Sequence, residues 1–327
     1  MIEKTYLLKD NTLTVAQLCD MAGVSRSGYY SYLKGKKDPD SVTNRKEMED
    51  KEDFELILKA YRHKGYDKGS RGIHMRLLHM GVKMNRKKIQ RLMKKYGLLC
   101  PVRKANPYRR MAKALKTNNY ADNLLERQFE YYGPGYVLLT DITYLFFSSK
   151  RTKAYLSVIK DAFTKQILAY RASLSMEEDF VLETVNDLFR NHKDDIHCDA
   201  MIHSDQGAHY TAIAFIDLLK DKNIRQSMSR RGNCWDNAPQ ESFFGHMKDE
   251  AGHYIESCED YESLNEAIDD YMNYYNQERY QYNLAKLSPN EYLEYYKTGI
   301  YPLKEIIDEP QFTKQKFEEV REHIKDQ

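Results

Sequence analysis

The chain has few cysteines: five in 327 residues, Cys19, Cys100, Cys198, Cys234 and Cys258, odd in number, widely spaced and never arranged as Cys-x-x-Cys. Such usage argues against a disulfide framework and a zinc site, and for reduced thiols in a cytoplasm. No run of about 18 apolar residues occurs and the start carries no signal-peptide pattern, so no segment is expected to enter a membrane. Acid is nearly missing from one block. Residues 59–110 hold 17 Lys and Arg against a single acid, Asp67, a local net of +16. The formal charge of the whole chain is only +2, so the remainder holds 34 basic (51 less 17) and 48 acidic (49 less 1) residues, a net of −14. A basic block beside an acidic remainder is the electrostatic footprint of a protein that reads a phosphate backbone. At this length there is room for two or three domains.

The basic block carries regular apolar positions and is expected to fold. Phe54, Ile57, Leu58 and Tyr61 recur at helical spacing, and Gly65 and Gly69 break the chain. Ile73, Leu77 and Leu78 form a second stripe ending at Gly81, and Asn85 is suited to cap a third helix bearing Ile89, Leu92 and Met93. The last two helices read as a helix-turn-helix that offers Arg86, Lys87, Gln90, Arg91 and Lys94 to DNA. Arg and Gln there suit base edges, and Lys suits phosphates. A smaller helix-turn-helix is expected first: a helix over 14–21, a turn at Gly23-Val24, and a helix from Ser25 to Leu33 bearing Arg26 as a DNA contact. Tyr29 and Tyr32 are read as packing residues before DNA contacts. Residues 34–40 and 101–119 read as linkers. The second is basic through Arg103, Lys104, Arg109 and Arg110, which either track DNA or keep a linker soluble.

From residue 134 the pattern changes to a mixed one. Strands are expected over 136–147, 154–160, 166–172, 200–202 and 224–228, with helices over 176–191, 212–222 and 261–280. Three carboxylates stand in distinctive settings. Asp141 lies in an apolar, β-branched run with threonines on either side, and Asp205 lies in a Ser-Asp-Gln-Gly turn that releases a short strand. Glu241 opens a helix over 238–251 that Asn237 can start, with Pro239 and Gln240 in its first turn. Spacing alone decides little: with 49 acids in 327 residues, a partner at any fixed offset arises by chance roughly 15% of the time. In context, two strand ends and one helix can converge on a cage of hard oxygen ligands. Two Mg²⁺ ions held about 3.5 to 4 Å apart in such a cage stabilise the entering and leaving oxygens of in-line attack on a phosphodiester. Lys248 follows Glu241 by seven residues, which returns it to within about 20° of the same helix face, where it can grip a phosphate.

Other residues near the carboxylates have competing readings. The loop over 229–237 carries Arg230, Arg231 and the only tryptophan, Trp235. These can contact DNA, while a buried Trp235 bracing the loop is at least as plain a reading. His203 and His209 flank Asp205 and are assigned packing or supporting roles, because imidazole is softer than Mg²⁺ prefers. Asp161 reads as a turn residue. The last stretch, 303–327, is charged of both signs and reads as a solvated helix or tail.

Several long motifs occur together in order. Thr140-Asp-Ile-Thr-Tyr144 is followed by His203-Ser-Asp-Gln-Gly207 with Tyr210. Gln226-Ser-Met-Ser-Arg-Arg-Gly-Asn-Cys-Trp-Asp-Asn-Ala238 comes next, then Glu241-Ser-Phe-Phe244 and Lys248-Asp-Glu250, and Tyr274-Tyr-Asn-Gln-Glu-Arg279 closes the series. This set resembles the catalytic half of bacterial transposases of the insertion-sequence-three family, whose cores are similar to retroviral integrases. The match runs with gaps over about 12–296.

The resemblance implies an α/β, ribonuclease-H-like integrase core preceded by all-α helix-turn-helix domains. The corresponding division is 1–40, a basic DNA-binding domain over 41–100, a linker over 101–133, the core over 134–300 and a tail over 301–327. It also implies an Asp-Asp-Glu triad of Asp141, Asp205 and Glu241 that is both catalytic and metal-binding, with Mg²⁺ as cofactor and Mn²⁺ able to replace it. The implied reaction is DNA strand cleavage followed by transfer of a 3′-hydroxyl. The implied partners are terminal inverted repeats, target DNA, further copies of the chain on DNA and an upstream-frame protein, in the bacterial cytoplasm at the nucleoid. One departure is visible, Leu138 in place of a common tryptophan, read as a packing change; the His/Cys zinc module with which retroviral integrases begin is not seen in the sequence. A catalytically silent DNA-binding repressor and an integrase with another DNA target are the alternatives.

Overall fold

The computed structural model describes residues 2–8, 10–37, 42–66, 68–98, 132–229 and 238–325. The linker expected over 101–119, and Arg230, Arg231 and Trp235, lie outside the described residues. Six helices precede the first strand: α1 (Ile2–Tyr6), α2 (Val15–Met21), α3 (Arg26–Lys37), α4 (Val42–Arg62), α5 (Ser70–His79) and α6 (Arg86–Lys95). Two compact units form, Met1–Ala60 with Lys87–Leu98, and Tyr61–Arg86 with Leu99–Gln327.

In the first unit, Thr14 and Gln17 cap α2 reciprocally, each side chain accepting the other's backbone N–H. Ser25 Oγ accepts the Gly28 N–H at 3.1 Å, which starts α3. That helix runs through Gly35 to Lys37, where a linker was expected from residue 34; one glycine costs a helix only about 1 kcal/mol. Phe54 of α4 stacks on Tyr96 with ring centroids 4.4 Å apart. Asp50 of α4 takes both Arg91 nitrogens, at 2.6 and 2.8 Å, and Lys95 at 2.8 Å. Lys88 pairs with Asp53.

The second unit is built on a five-stranded sheet of β1 (Val137–Phe147), β2 (Thr152–Asp161), β3 (Ile167–Ser173), β4 (Met201–Ser204) and β5 (Arg225–Met228), in the order β3-β2-β1-β4-β5. β1, β2 and β3 form an antiparallel meander, and β4 and β5 add in parallel on the other side of β1. The parallel connections need helical crossovers, supplied by α7 (Asp179–His192), then α8 (Ala208–Thr211) and α9 (Ile213–Asp221). α10 (Ala238–Ser257), α11 (Tyr261–Gln277), α12 (Pro289–Thr298) and α13 (Gln311–Lys325) follow.

Alternation along β1 divides its side chains between two cores. Leu145 and Phe147, with Leu156 and Val158 from β2, pack against Phe243 and Met247 of α10 and Tyr271 of α11. Leu138, with Ile159 and Ile202, packs against Val181, Val185 and Phe215 on the opposite face. The leucine at position 138 is fully buried there, in agreement with a packing role.

The segment 61–86 packs with this second unit. Tyr66 enters the α10–α11 core, Leu78 joins Phe163, Leu284 and Tyr292, and Arg76 donates to Glu278 at 3.1 Å. At the end of the chain, α13 is not simply solvated. Phe317 and Val320 are buried against Phe163, Tyr292 and Tyr295, because the 317, 320 and 324 positions line one helix face. Among the described residues no helix is long and apolar enough to cross a membrane.

Candidate active site

The register of β1 and β4 relates two of the three sequence-selected carboxylates. Leu138 pairs with Ile202 and Leu139 with His203, and Asp141 and Asp205 each follow that last pair by two residues. Asp141 Oδ1 accepts the Ile142 N–H at 2.8 Å, and Asp205 Oδ1 accepts the Gly207 N–H at 2.8 Å. Both carboxylates are half-buried. The phenol of Tyr210 is fully buried, and burial first, then the charges of Asp141 and Asp205, push its pKa well above the ordinary tyrosine value.

Glu241 approaches from above. Asp141 stands opposite Val158 across β1 and β2, and Gln240 Nε2 donates to the Val158 carbonyl at 3.4 Å. The first turn of α10 therefore sits at the level of Asp141, with Glu241 exposed on it. A second tie comes from Lys160, whose Nζ donates to the Pro239 carbonyl at 2.6 Å. This lysine is 2% exposed. Burial, and next the charges of Lys165 and Arg279, push its pKa well below the ordinary lysine value, against the pull of Asp141 and Asp161. Sequence reasoning did not single out Lys160. The available signal was a cation directly after the apolar pair Val158-Ile159, near the end of a strand.

Lys248 lies further along α10 and reaches β1. Its Nζ donates to Thr143 Oγ1 at 2.7 Å, two residues beyond Asp141. The flanking histidines pack as supports: His203 is buried between Ser227 Oγ at 2.9 Å and Ser229 Oγ at 3.3 Å, and His209 contacts the Met176 carbonyl. Asp161 organises a turn and is buried, accepting N–H groups of Gly135 and Thr164. Burial raises its pKa.

Among the described residues, the only three metal-ligand side chains within 4.8 Å of one another are His197, Cys198 and Asp199. Both ring nitrogens of His197 are already engaged there, one by the Asp199 N–H and one by the Tyr136 hydroxyl. Asp141, Asp205 and Glu241 are more widely spread than that limit. Of the side chains chosen for DNA contact, Lys87, Gln90 and Lys94 of α6 are exposed, as is Arg26 of α3, while Arg86 is half-buried. Arg91 is committed to Asp50. Tyr32, read as a packing residue, is 58% exposed.

Comparison with known proteins agrees with this architecture. Residues 132–234 and 241–295 match two descriptions of an integrase core domain, and residues 48–106 match an HTH-like domain. An uncharacterized transposase-like protein of Haemophilus influenzae is 37% identical over 213 residues, 64% of this chain and 94% of the relative. The putative transposase InsK for insertion sequence element IS150 of Escherichia coli is 32% identical over 276 residues, 84% of this chain and 92% of the relative. Among solved structures, the HTLV-2 integrase catalytic core domain in complex with magnesium aligns at 16% identity and a TM-score of 0.37, covering 48% of this chain and 95% of that one. The core is thus ribonuclease-H-like and of the polynucleotidyl transferase class, and the chain belongs to the insertion-sequence-three family of transposases.

Proposed function

We propose that this transposase cuts and joins DNA by divalent-metal chemistry at Asp141, Asp205 and Glu241. The observation that supports the proposal is the parallel register of β1 and β4, which ends two residues before Asp141 and Asp205, with the first turn of α10 tied to β2. The donor set fits Mg²⁺, with Mn²⁺ able to replace it: three carboxylates, no thiolate, and one oxygen of each aspartate already oriented by a backbone N–H. When bound, the metal pair supplies charge stabilisation at the entering and leaving oxygens of the phosphodiester. Asp141 presents its oxygens from within β1 and Asp205 from just past the end of β4, and Glu241 presents its own from a helix turn that is tied to β2. Lys248, held at Thr143, brings positive charge to a phosphate beside the carboxylates. The attacking group is water for strand cleavage and the freed DNA 3′-hydroxyl for strand transfer, so no protein nucleophile is required.

The α3 and α6 helices deliver Arg26, Lys87, Gln90 and Lys94 to the terminal inverted repeats of the element. Arg86, Arg230, Arg231 and Trp235 complete the proposed contact set, while Arg91 stays with Asp50. Further copies of the chain assemble with it on DNA, and an upstream-frame protein joins them. The division into DNA-binding helices, linker and core over 1–40, 41–100, 101–133 and 134–300 serves this order of events. The decisive experiment is Asp141→Asn in the full chain, assayed on DNA carrying the element's ends with Mg²⁺. Nicking and strand transfer are expected to disappear while end binding persists. A variant that still nicks, or a wild-type chain that binds ends and never cuts with any divalent metal, overturns the proposal in favour of a silent DNA-binding repressor.

A further inference from the structure

Tyr144 ends the Thr-Asp-Ile-Thr-Tyr motif, and the chemistry above makes no use of it. Its side chain is 52% exposed although its neighbours Thr143 and Leu145 are buried. Two cations converge on its ring: Lys248 Nζ lies 4.5 Å and Lys153 Nζ 5.3 Å from the ring centroid. Lys153 also lies 4.8 Å from the centroid of Tyr155, the residue opposite Tyr144 across β1 and β2. Phe146 meets Tyr144 edge to face at 5.6 Å, and the guanidinium of Arg151 sits 5.1 Å from the Phe146 centroid. Among the described residues, neither Lys153 nor Arg151 is in an ion pair.

We infer that this cluster is a binding site for DNA backbone phosphates, on the strand that continues away from the scissile position. Lys153 and Arg151 leave exposed positive charge beside Lys248 and the tyrosine ring, which an anionic backbone can engage. The cluster is poorly suited to stacking a base, because cations occupy positions over the rings. It is also outside the sheet's covered region. β4 pairs only with Val137–Leu139, so β1 has a strand neighbour on one side alone from Thr140 onward, and a ligand can approach there. Asp141 and Tyr144 are three positions apart on one strand, about 10 Å along it, with their side chains leaving opposite faces of the sheet. Lys248 joins the two places, since it touches both Thr143 and Tyr144.

The identity of the ligand rests on the active-site proposal, so the test reads binding alone. A labelled non-specific duplex is titrated with the full chain in the absence of divalent metal, over a series of salt concentrations. In the double variant Lys153→Gln with Arg151→Gln, the slope of log affinity against log salt is expected to fall by about 2, and affinity at low salt by at least about tenfold. Tyr144→Leu should lose part of that slope by releasing the lysines, and Tyr144→Phe, which keeps the ring, should retain it. Both charged residues are exposed, so the double variant should melt as the wild type does. A wild-type slope in the double variant, or equal slopes for the Leu and Phe variants, overturns the assignment. Failure of the active-site proposal would appear separately, as nicking by the Asp141→Asn variant.

Discussion

Lys160 and Pro239 are joined by a 2.6 Å hydrogen bond from a buried ammonium to a backbone carbonyl. A cation in the sheet thereby fixes the start of the helix that carries Glu241. Lys160→Met should keep the fold, because replacing a buried charge by an apolar side chain of similar size is often neutral. It should also slow metal-dependent nicking by at least about tenfold and raise the Mg²⁺ concentration needed, as Glu241 loses its fixed height. A metal titration of nicking checks this, and an unchanged midpoint would remove the positioning role.

Arg279 and Glu250 form a largely buried pair through Nε and a terminal nitrogen, with contacts of 2.6 to 3.0 Å, and Tyr271 adds a hydrogen bond to the same carboxylate. Arg279→Met leaves that carboxylate buried without its cation. The expected loss is about 3–5 kcal/mol of stability, measured by denaturant unfolding of the full chain.

In the first unit, hydrogen bonds from Arg91 and then Lys95 hold the Asp50 carboxyl well below its ordinary value. A carboxyl with a lowered folded pKa binds fewer protons folded than unfolded in the acid range, so its contribution is complete above the unfolded value. It is lost as pH falls through the folded one. Asp50→Asn should therefore flatten the fall in melting temperature below about pH 4. Because Arg91 is more than half exposed, the difference should be modest and should shrink in high salt. Parallel acid slopes for the two proteins would rule the linkage out.

Phe317 of α13 is 3% exposed and meets Tyr292, Tyr295 and Tyr296 with centroids 4.9 to 5.1 Å apart. Phe317→Ala should cost about 3–5 kcal/mol. A change within the error of the unfolding measurement would mean that α13 is not part of the folded core.

Much of this was legible in the residues. The residue pattern located all five strands to within two residues at each end, most of them as β-branched or apolar runs bounded by turn signals. Glycine and capping residues located α2 and the start of α3, while α1 was not expected. What was not legible depends on pairing between distant segments. Nothing in residues 154–160 announces that Lys160 ends beneath residue 239, and nothing local to α6 tells that Arg91 is taken by Asp50, 41 residues earlier. The charged sequence of α13 hid its apolar stripe, since three anchors suffice to dock a helix whose other positions are polar. The candidate carboxylates were readable from their settings, and their matching places after β1 and β4 pair only from strand register.

The brevity of β4 has one more effect. Among the described residues, β1 has no strand partner on the β4 side from Thr140 onward, the kind of edge onto which a stray strand from another molecule can add. Lys248, reaching across to Thr143, puts a charge at that margin and so guards it against self-association. Neutralising this lysine would remove a deterrent to aggregation as well as a phosphate grip.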